Sequence, residues 1–387
     1  MKLSLHPQVH RRTAVAAVLA TLTLGLAACG GGSGVSTGAA ASSGADSALA
    51  AEVKKMSEPV DSFPVPTEAI GDISSLKGRT VYYIPISQQA PSFTVTATAM
   101  KQALAAAGLN LQVCDGGANP TSISACVNQA VGAGAGGIVT DAIPYAMAAN
   151  ALDAAQKARI PVLIADQIPD DKHPAGPTLA YQEGAGTEML EAIAKWIVVD
   201  SGGSAKVVLT AANDSPSSRA YAAAGEKVIK DCSGCKLTVN EISTANFSLI
   251  APSTSSAILK TPGVNYVISE FDQYVQPVMG GTQQSGKLAS VKGASSAATL
   301  TSLKMVKSKT FLHAEAAQAL PYQGWTLTDA ILRMALGKDV PDEKIPFRLF
   351  TEDNIDSVEL TDAAQASGAW FGPAGFQDEF KKLWGVA

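Results

Sequence analysis

Two aspartates, Asp141 in GIVTD and Asp166 in PVLIAD, each close a short apolar run. Carboxylates at neighbouring strand ends can divide acid and base roles when their environments separate their pKa values. The companions such chemistry needs are missing: the sequence has no Gly-x-Ser-x-Gly elbow, and Ser295-Ser296 in GASSA does not make one. Of the four histidines, His6 and His10 fall in the N-terminal leader, and His173 and His313 have no HxxxH or HxH companion, so metal catalysis has little support. His313, on an apolar run, reads as a core residue. Gly132, Gly134 and Gly137 satisfy GxGxxG formally, but they end a helical run and lead into a strand, the reverse of the dinucleotide arrangement. Asp141 and Asp166 therefore read as hydrogen-bonding groups for the hydroxyls or amines of a ligand, in a protein that is not an enzyme and needs no cofactor.

The elements that would carry them begin with residues 80–93, TVYYIPISQQAPSF, an apolar strand running into a polar loop and then a helix. From there to Gln167, apolar runs of four to six residues (VYYIPI, LQVC, GIVTD, PVLIAD) alternate with helical periodicity, the pattern of parallel strands joined by right-handed crossovers. Asn119-Pro120 and Ile143-Pro144 mark helix starts, because proline suits a first helical turn. Residues 87–93, 115–119, 141–144 and 166–167 then share one sheet edge, where open parallel sheets bind ligands. After Asp166 the segment IPDDKHPAGPT reads as a crossing into a second lobe. There the alternation resumes through AKVVLT, KLTVNEI, VNYVIS, a weaker strand at residues 288–291, and TFLHAEA. A long helix, LPYQGWTLTDAILRMALG, a strand with a turn, IPFRLFTEDNI, and a terminal amphipathic helix complete the pattern. Two α/β lobes without a catalytic insertion suggest a hinged clamp.

The N-terminus reads as an export signal: Lys2, Arg11 and Arg12 precede an apolar segment, residues 13–28, that ends in LAAC at Cys29. That ending resembles a bacterial lipobox, in which cleavage leaves Cys29 as a lipidated first residue; the alternative is an ordinary signal peptide with an incidental cysteine. Removing residues 1–28 takes three positive charges from a chain whose formal net charge is already -5. An acidic exported protein argues against nucleic acid as partner. Residues 30–50, small and nearly uncharged, read as a flexible tether. No apolar run after residue 30 approaches the roughly 20 residues of a membrane span. With 47% hydrophobic residues in 387, the chain can bury a sizeable core.

Beyond Cys29 the cysteines are Cys114, Cys126, Cys232 and Cys235, an even number outside a reducing compartment. Four cysteines allow three pairings, and Cys114 with Cys126 and Cys232 with Cys235 are expected. Cys232-x-x-Cys235 is also the spacing of a redox or zinc half-site, but no second Cys or His pair lies nearby, which favours a structural clip.

From Thr80 to about Asn354 the sequence resembles the class I periplasmic sugar-binding proteins of ABC importers, the ribose-binding type. The shared marks are QQAPSF at residues 88–93, CDGGANPTSISACVNQAVGAGAGGIVTDAIP at 114–144, IPVLIADQ at 160–167, SPSSR ending at Arg219, and SEFDQY at 269–274. GWTLTDAILRMALG and IPFRLFTEDNI look like the actinobacterial lipoprotein branch. Carried over position by position, the resemblance implies that Pro91 and Phe93 belong to the stacking loop with Gln88 and Gln89, although Ser92 replaces a second aromatic and Gln89 or Ala90 an asparagine. Asp141 stands for an asparagine. Asp166 matches the hydroxyl-binding aspartate, with Gln167 in place of its arginine. Arg219 matches a second-lobe arginine, Phe247 an aromatic wall, and Asp272 an aspartate whose preceding asparagine is here Phe271. Gly293 or Ala294 falls where a further aspartate is usual, and Gln318, or Glu315, lies near the hinge glutamine.

The resemblance implies two doubly wound, Rossmann-like α/β lobes with parallel sheets joined by a hinge, the type I periplasmic binding protein fold. The expected divisions are a signal peptide at 1–28, anchor and tether at 29–76, an N-terminal lobe from 77–166 with 318–345, a C-terminal lobe from 167–317 with 346–360, and an extension at 361–387. The implied function is that of a monomeric lipoprotein on the outer face of the cytoplasmic membrane that delivers a small molecule to an ABC permease. Planar bidentate side chains normally satisfy the hydroxyls of a buried sugar, and an unsatisfied one costs about 1–3 kcal/mol. Losing an arginine, an asparagine and an aspartate while gaining Phe271 points to a less hydroxylated, partly apolar ligand. The alternatives are a sensing module for a membrane receptor or an exported α/β enzyme.

Overall fold

The structure, a computed structural model, describes residues 39–387. The export signal, Cys29 and the first part of the tether lie outside the described residues. Residues expected to continue that tether are instead helical, forming α1 (Ala39–Met56). Small residues and alanines favour helix as readily as a linker, and the last turns of α1 are docked: Val53 is buried and Glu52 pairs with Lys195 at 3.2 Å.

The first lobe is built from β1 (Thr80–Pro85), α2 (Pro91–Ala106), β2 (Asn110–Val113), α3 (Pro120–Gly132), β3 (Gly137–Asp141), α4 (Ala149–Lys157), β4 (Val162–Ala165) and β5 (Leu179–Gln182). Its sheet runs β2-β1-β3-β4-β5, every pair parallel. Residues of β3 and β4 are buried throughout, as strands covered on both faces must be. Proline opens α2 and α3, and the Asn119 side chain accepts from the Ser122 N–H at 2.9 Å, capping α3.

The second lobe contains α5 (Gly186–Asp200), β6 (Lys206–Ala212), α6 (Pro216–Asp231), β7 (Lys236–Ile242), α7 (Ile250–Leu259), β8 (Tyr266–Ser269), α8 (Val275–Gln284), β9 (Lys292–Ser296), α9 (Leu300–Ser308) and β10 (Leu312–Gln318). The chain then returns to the first lobe as α10 (Leu320–Ala335), which packs on α2, and comes back as β11 (Phe347–Thr351), antiparallel to β10. The second sheet runs β11-β10-β9-β8-β6-β7. Helices α10 and α2 approach closely at Gly324, where a Cβ would lie 2.6 Å from that of Ala99. Two further helices follow, α11 (Asp362–Ser367) and α12 (Phe376–Leu383).

Two further expectations need correction. The segment after Asp166 does not leave the first lobe: it loops back and adds β5 beside β4, so the crossing falls at residues 182–186 and the second lobe begins about twenty residues later than residue 167. The weak strand at 288–291 is a short turn of 3-10 helix, and the strand follows at Lys292–Ser296. The stretch at 361–387 packs against α10, with Trp384 stacked on Trp325 at 5.4 Å. Both disulfides join the expected partners, Cys114 with Cys126 and Cys232 with Cys235. No described helix is long and apolar enough to cross a membrane.

Candidate ligand-binding cleft

The carboxyl ends of the parallel strands of both sheets face one another across a cavity of about 340 Å³. From the first lobe come Phe93 at the start of α2, Met147, and Asp166 and Gln167 after β4; from the second come Asp214, Ser218, Tyr221, Phe271 and Gln273. Among the described residues six non-glycine residues have left-handed backbone, and four of them, Ala118, Ala142, Asp166 and Ala297, line this cavity. Such conformations cost of order 1–3 kcal/mol each and cluster where function holds the chain in place.

Asp166 is the centre of a network at the hinge. Its Oδ1 accepts from Gln318 Nε2 (3.1 Å) and Gln323 Nε2 (2.9 Å), and its carbonyl accepts from Gln167 Nε2 (2.7 Å) and the Tyr221 hydroxyl (3.2 Å). Gln318 Oε1 accepts from the Ala185 N–H at 2.7 Å, tying one crossing to another. Gln167 Oε1 accepts from Ser215 (3.2 Å) and Ser217 (3.1 Å), and the Ile168 N–H donates to Ser217 Oγ at 3.0 Å, so the β4 loop is bonded to the N-terminus of α6 in the other lobe. A Cβ on Gly184 would sit 1.9 Å from Asp166 Oδ1, which is why the crossing carries glycine there.

The twelve residues expected to touch ligand separate into groups. Phe93, Asp166, Gln167, Phe271 and Gln318 line the cavity. Gln89, Phe247 and Asp272 line an adjoining pocket of about 360 Å³ that shares Phe93, Thr244 and Gln273 with it. Gln88 faces a third depression between α2 and α11 and donates its N–H to Asp115 at 2.9 Å. Arg219 is exposed, bonded to the Asn213 carbonyl, and is not among the residues lining the cavity. Asp141 and Glu315 are wholly buried and line no pocket described above. Burial, reinforced by the charge of Asp166, holds the Asp141 carboxyl well above the usual carboxylate range; the Tyr83 hydroxyl donates to it at 2.5 Å. Burial likewise raises Glu315, which has no hydrogen-bond partner, with the charge of Asp272 adding to it. These two carboxyls belong to the core behind the site.

His173 pairs with Asp170 and His313 with Glu352, both away from the cavity. Among the described residues no cluster of three metal-ligating side chains occurs. Tyr221, Asp214 and Gln273 escaped the sequence reading. Tyr221 lies three residues after Ser218, so the two share a face of α6, and that helical spacing, rather than the basic residue between them, was the available signal. Asp214 sits just past the end of β6 and accepts from the Thr244 N–H at 2.6 Å and from its hydroxyl.

A family model described as periplasmic binding protein domain matches residues 81–339. No protein of curated function matches the chain. Among solved structures, an ABC transporter solute-binding protein from Bacillus halodurans with bound myo-inositol is 19% identical, with TM-score 0.61, covering 73% of this chain and 97% of that one. A 5-methylthioribose transporter solute-binding protein from Thermotoga lettingae in complex with 5-methylthioribose is 15% identical, with TM-score 0.68 and coverage of 80% and 98%. A protein from Mycobacterium smegmatis in complex with beta-D-fucofuranose is 15% identical, with TM-score 0.64 and coverage of 76% and 98%. At these identities the likeness is one of fold.

Proposed function

Since the chain belongs to the periplasmic binding protein domain family, we propose that it captures a small, sparsely hydroxylated solute between its lobes and delivers it to an ABC import permease. The observation that carries this reading is the cavity itself, walled by Phe93 and Asp166 from one lobe and by Tyr221 and Phe271 from the other. A ligand touching both walls stabilises the closed form by the difference in its affinity for the two forms, so capture requires no covalent chemistry. The inositol and the pentose and hexose derivatives held by its structural neighbours set the scale of the solute. The departures from a sugar site, Gln167 and Phe271 above all, support a ligand with fewer hydroxyls. The family is extracytoplasmic and non-enzymatic. A lipid at Cys29, as in the actinobacterial lipoprotein branch, would hold a monomeric mature protein at the membrane beside its permease.

A thermal-shift screen of the mature protein against sugars, polyols, nucleosides and small amines, with small-angle scattering on any stabilising compound, tests the reading. Stabilisation with a fall in radius of gyration is expected; turnover of a stabilising compound would overturn it.

A further inference from the structure

The polar groups around the cavity are unevenly supplied. Gln318 and Gln323 both donate amide N–H groups to Asp166, Gln318 also donates to Gln323 Oε1, Gln167 donates to the Asp166 carbonyl, and the Tyr221 hydroxyl donates to the same carbonyl. The amides of Gln167, Gln318 and Gln323 are thus engaged within the hinge. Two carboxylates, Asp166 and Asp214, line the cavity, and among the described residues no lysine, arginine or histidine does. The one arginine expected there, Arg219, is turned to the Asn213 carbonyl. The rest of the wall combines apolar and polarisable groups, Phe93, Phe271, the ring of Tyr221, Met147 and Met189, with the Gln273 amide and the hydroxyls of Ser92, Ser215, Ser218, Ser243 and Thr244. A sugar needs donors and acceptors in similar number, and each buried hydroxyl left unmatched weakens binding. An ammonium brings its own donors or positive charge and asks only for carboxylate and aromatic faces.

Resting on the solute-capture reading, we infer that the cleft selects a compact organic cation, an ammonium group on a largely apolar body, held by Asp166 and Asp214 against the Phe93, Phe271 and Tyr221 rings. The carboxylates supply the charge contrast with neutral solutes. The rings supply cation–π attraction and cover the apolar body. Among the described residues the lining has no cation to repel the ligand, and net negative charge in a concave site raises the local concentration of cations.

The test uses matched pairs of probes on the mature protein, read by calorimetry and thermal shift. Choline is compared with its neutral isostere, in which carbon replaces the ammonium nitrogen, and cyclohexylamine with cyclohexanol; myo-inositol and ribose serve as polyol probes. Binding of at least one cation, about tenfold or more tighter than its neutral partner, and weakened about tenfold by Asp214→Asn, is expected. Asparagine keeps an acceptor for Thr244, and an unchanged unliganded melting temperature shows that the loss is one of charge. Equal binding of cation and isostere, or insensitivity to Asp214→Asn, would overturn the inference. Binding of inositol or ribose with both cations inert would overturn the cation while leaving solute capture intact. No binding by any probe of either class would count against both.

Discussion

At the scale of single residues, the carboxyls divide by what surrounds them. Asp166 and Asp214 line the cavity, whereas Asp141, Glu270 and Glu315 lie wholly inside the protein and are pushed upward by burial. Glu343 belongs to the second kind and touches the hinge: Gln182, at the end of β5, donates to its Oε2 at 3.3 Å. Burial, with the charge of Asp329 assisting and Arg333 opposing, raises its carboxyl from the ordinary 4.5 to about 9. The folded protein therefore holds this proton through neutral pH while the unfolded chain releases it. The Glu343 contribution to stability is full below pH 4.5 and is lost as the pH rises toward about 9. Glu343→Gln, neutral at every pH and still able to accept from Gln182, should flatten that slope. We expect the variant to gain on the order of 1–3 kcal/mol over the wild type between mildly acidic and mildly alkaline buffer, read by urea unfolding at a series of pH values. Parallel wild-type and variant curves would reject a neutral Glu343.

At the scale of elements, α10 joins the terminal helix to the network beside the cavity. Trp384 is buried on Trp325, and its Nε1 donates to Asp329 at 2.7 Å; Asp329 in turn pairs with Arg333 at 2.6 Å inside the protein. The same helix carries Gln323 to Asp166. Trp384→Ala removes the ring and the donor together and should cost about 3–5 kcal/mol, measured by denaturant unfolding. Trp384→Phe keeps most of the packing and should lose roughly 1–3 kcal/mol for the carboxylate's missing partner. If the alanine variant is as stable as the phenylalanine variant, the stack contributes nothing. How far elements were legible in the sequence follows from their burial. Strands β3 and β4 are covered on both faces, so GIVTD and PVLIAD stand out as unbroken apolar runs. Strand β5 is only four residues, LAYQ, half-buried in its middle and preceded by a Pro/Gly-rich loop, so neither length nor periodicity marks it. Side-chain direction was harder still: Arg219 and Tyr221 are two residues apart on one helix, one outside and one on the cavity, and only the surroundings of α6 decide which is which.

At the scale of the whole molecule, capture depends on the balance between open and closed arrangements, and that balance is set partly by contacts the ligand never touches. Ser217 takes part in two bonds between lobes, donating to Gln167 Oε1 at 3.1 Å and accepting from the Ile168 N–H at 3.0 Å. It is buried and is not among the residues lining the cavity, so Ser217→Ala changes no wall of the site. Gln167 keeps Ser215 as a donor, but the Ile168 N–H loses its acceptor. Hydrogen bonds contribute about 0.5–1.5 kcal/mol each, and here both act only when the lobes meet. Their loss should lower the population of the closed form by about one order of magnitude and weaken the affinity for any captured solute by the same factor, since apparent affinity scales with the competent fraction. Opening re-exposes the Ile168 N–H to water, so the melting temperature without ligand should change little. A larger unliganded radius of gyration by small-angle scattering, with selectivity among solutes unchanged, identifies a shift in population. If Ser217→Ala alters selectivity instead, Ser217 belongs to the ligand site and closure is governed elsewhere.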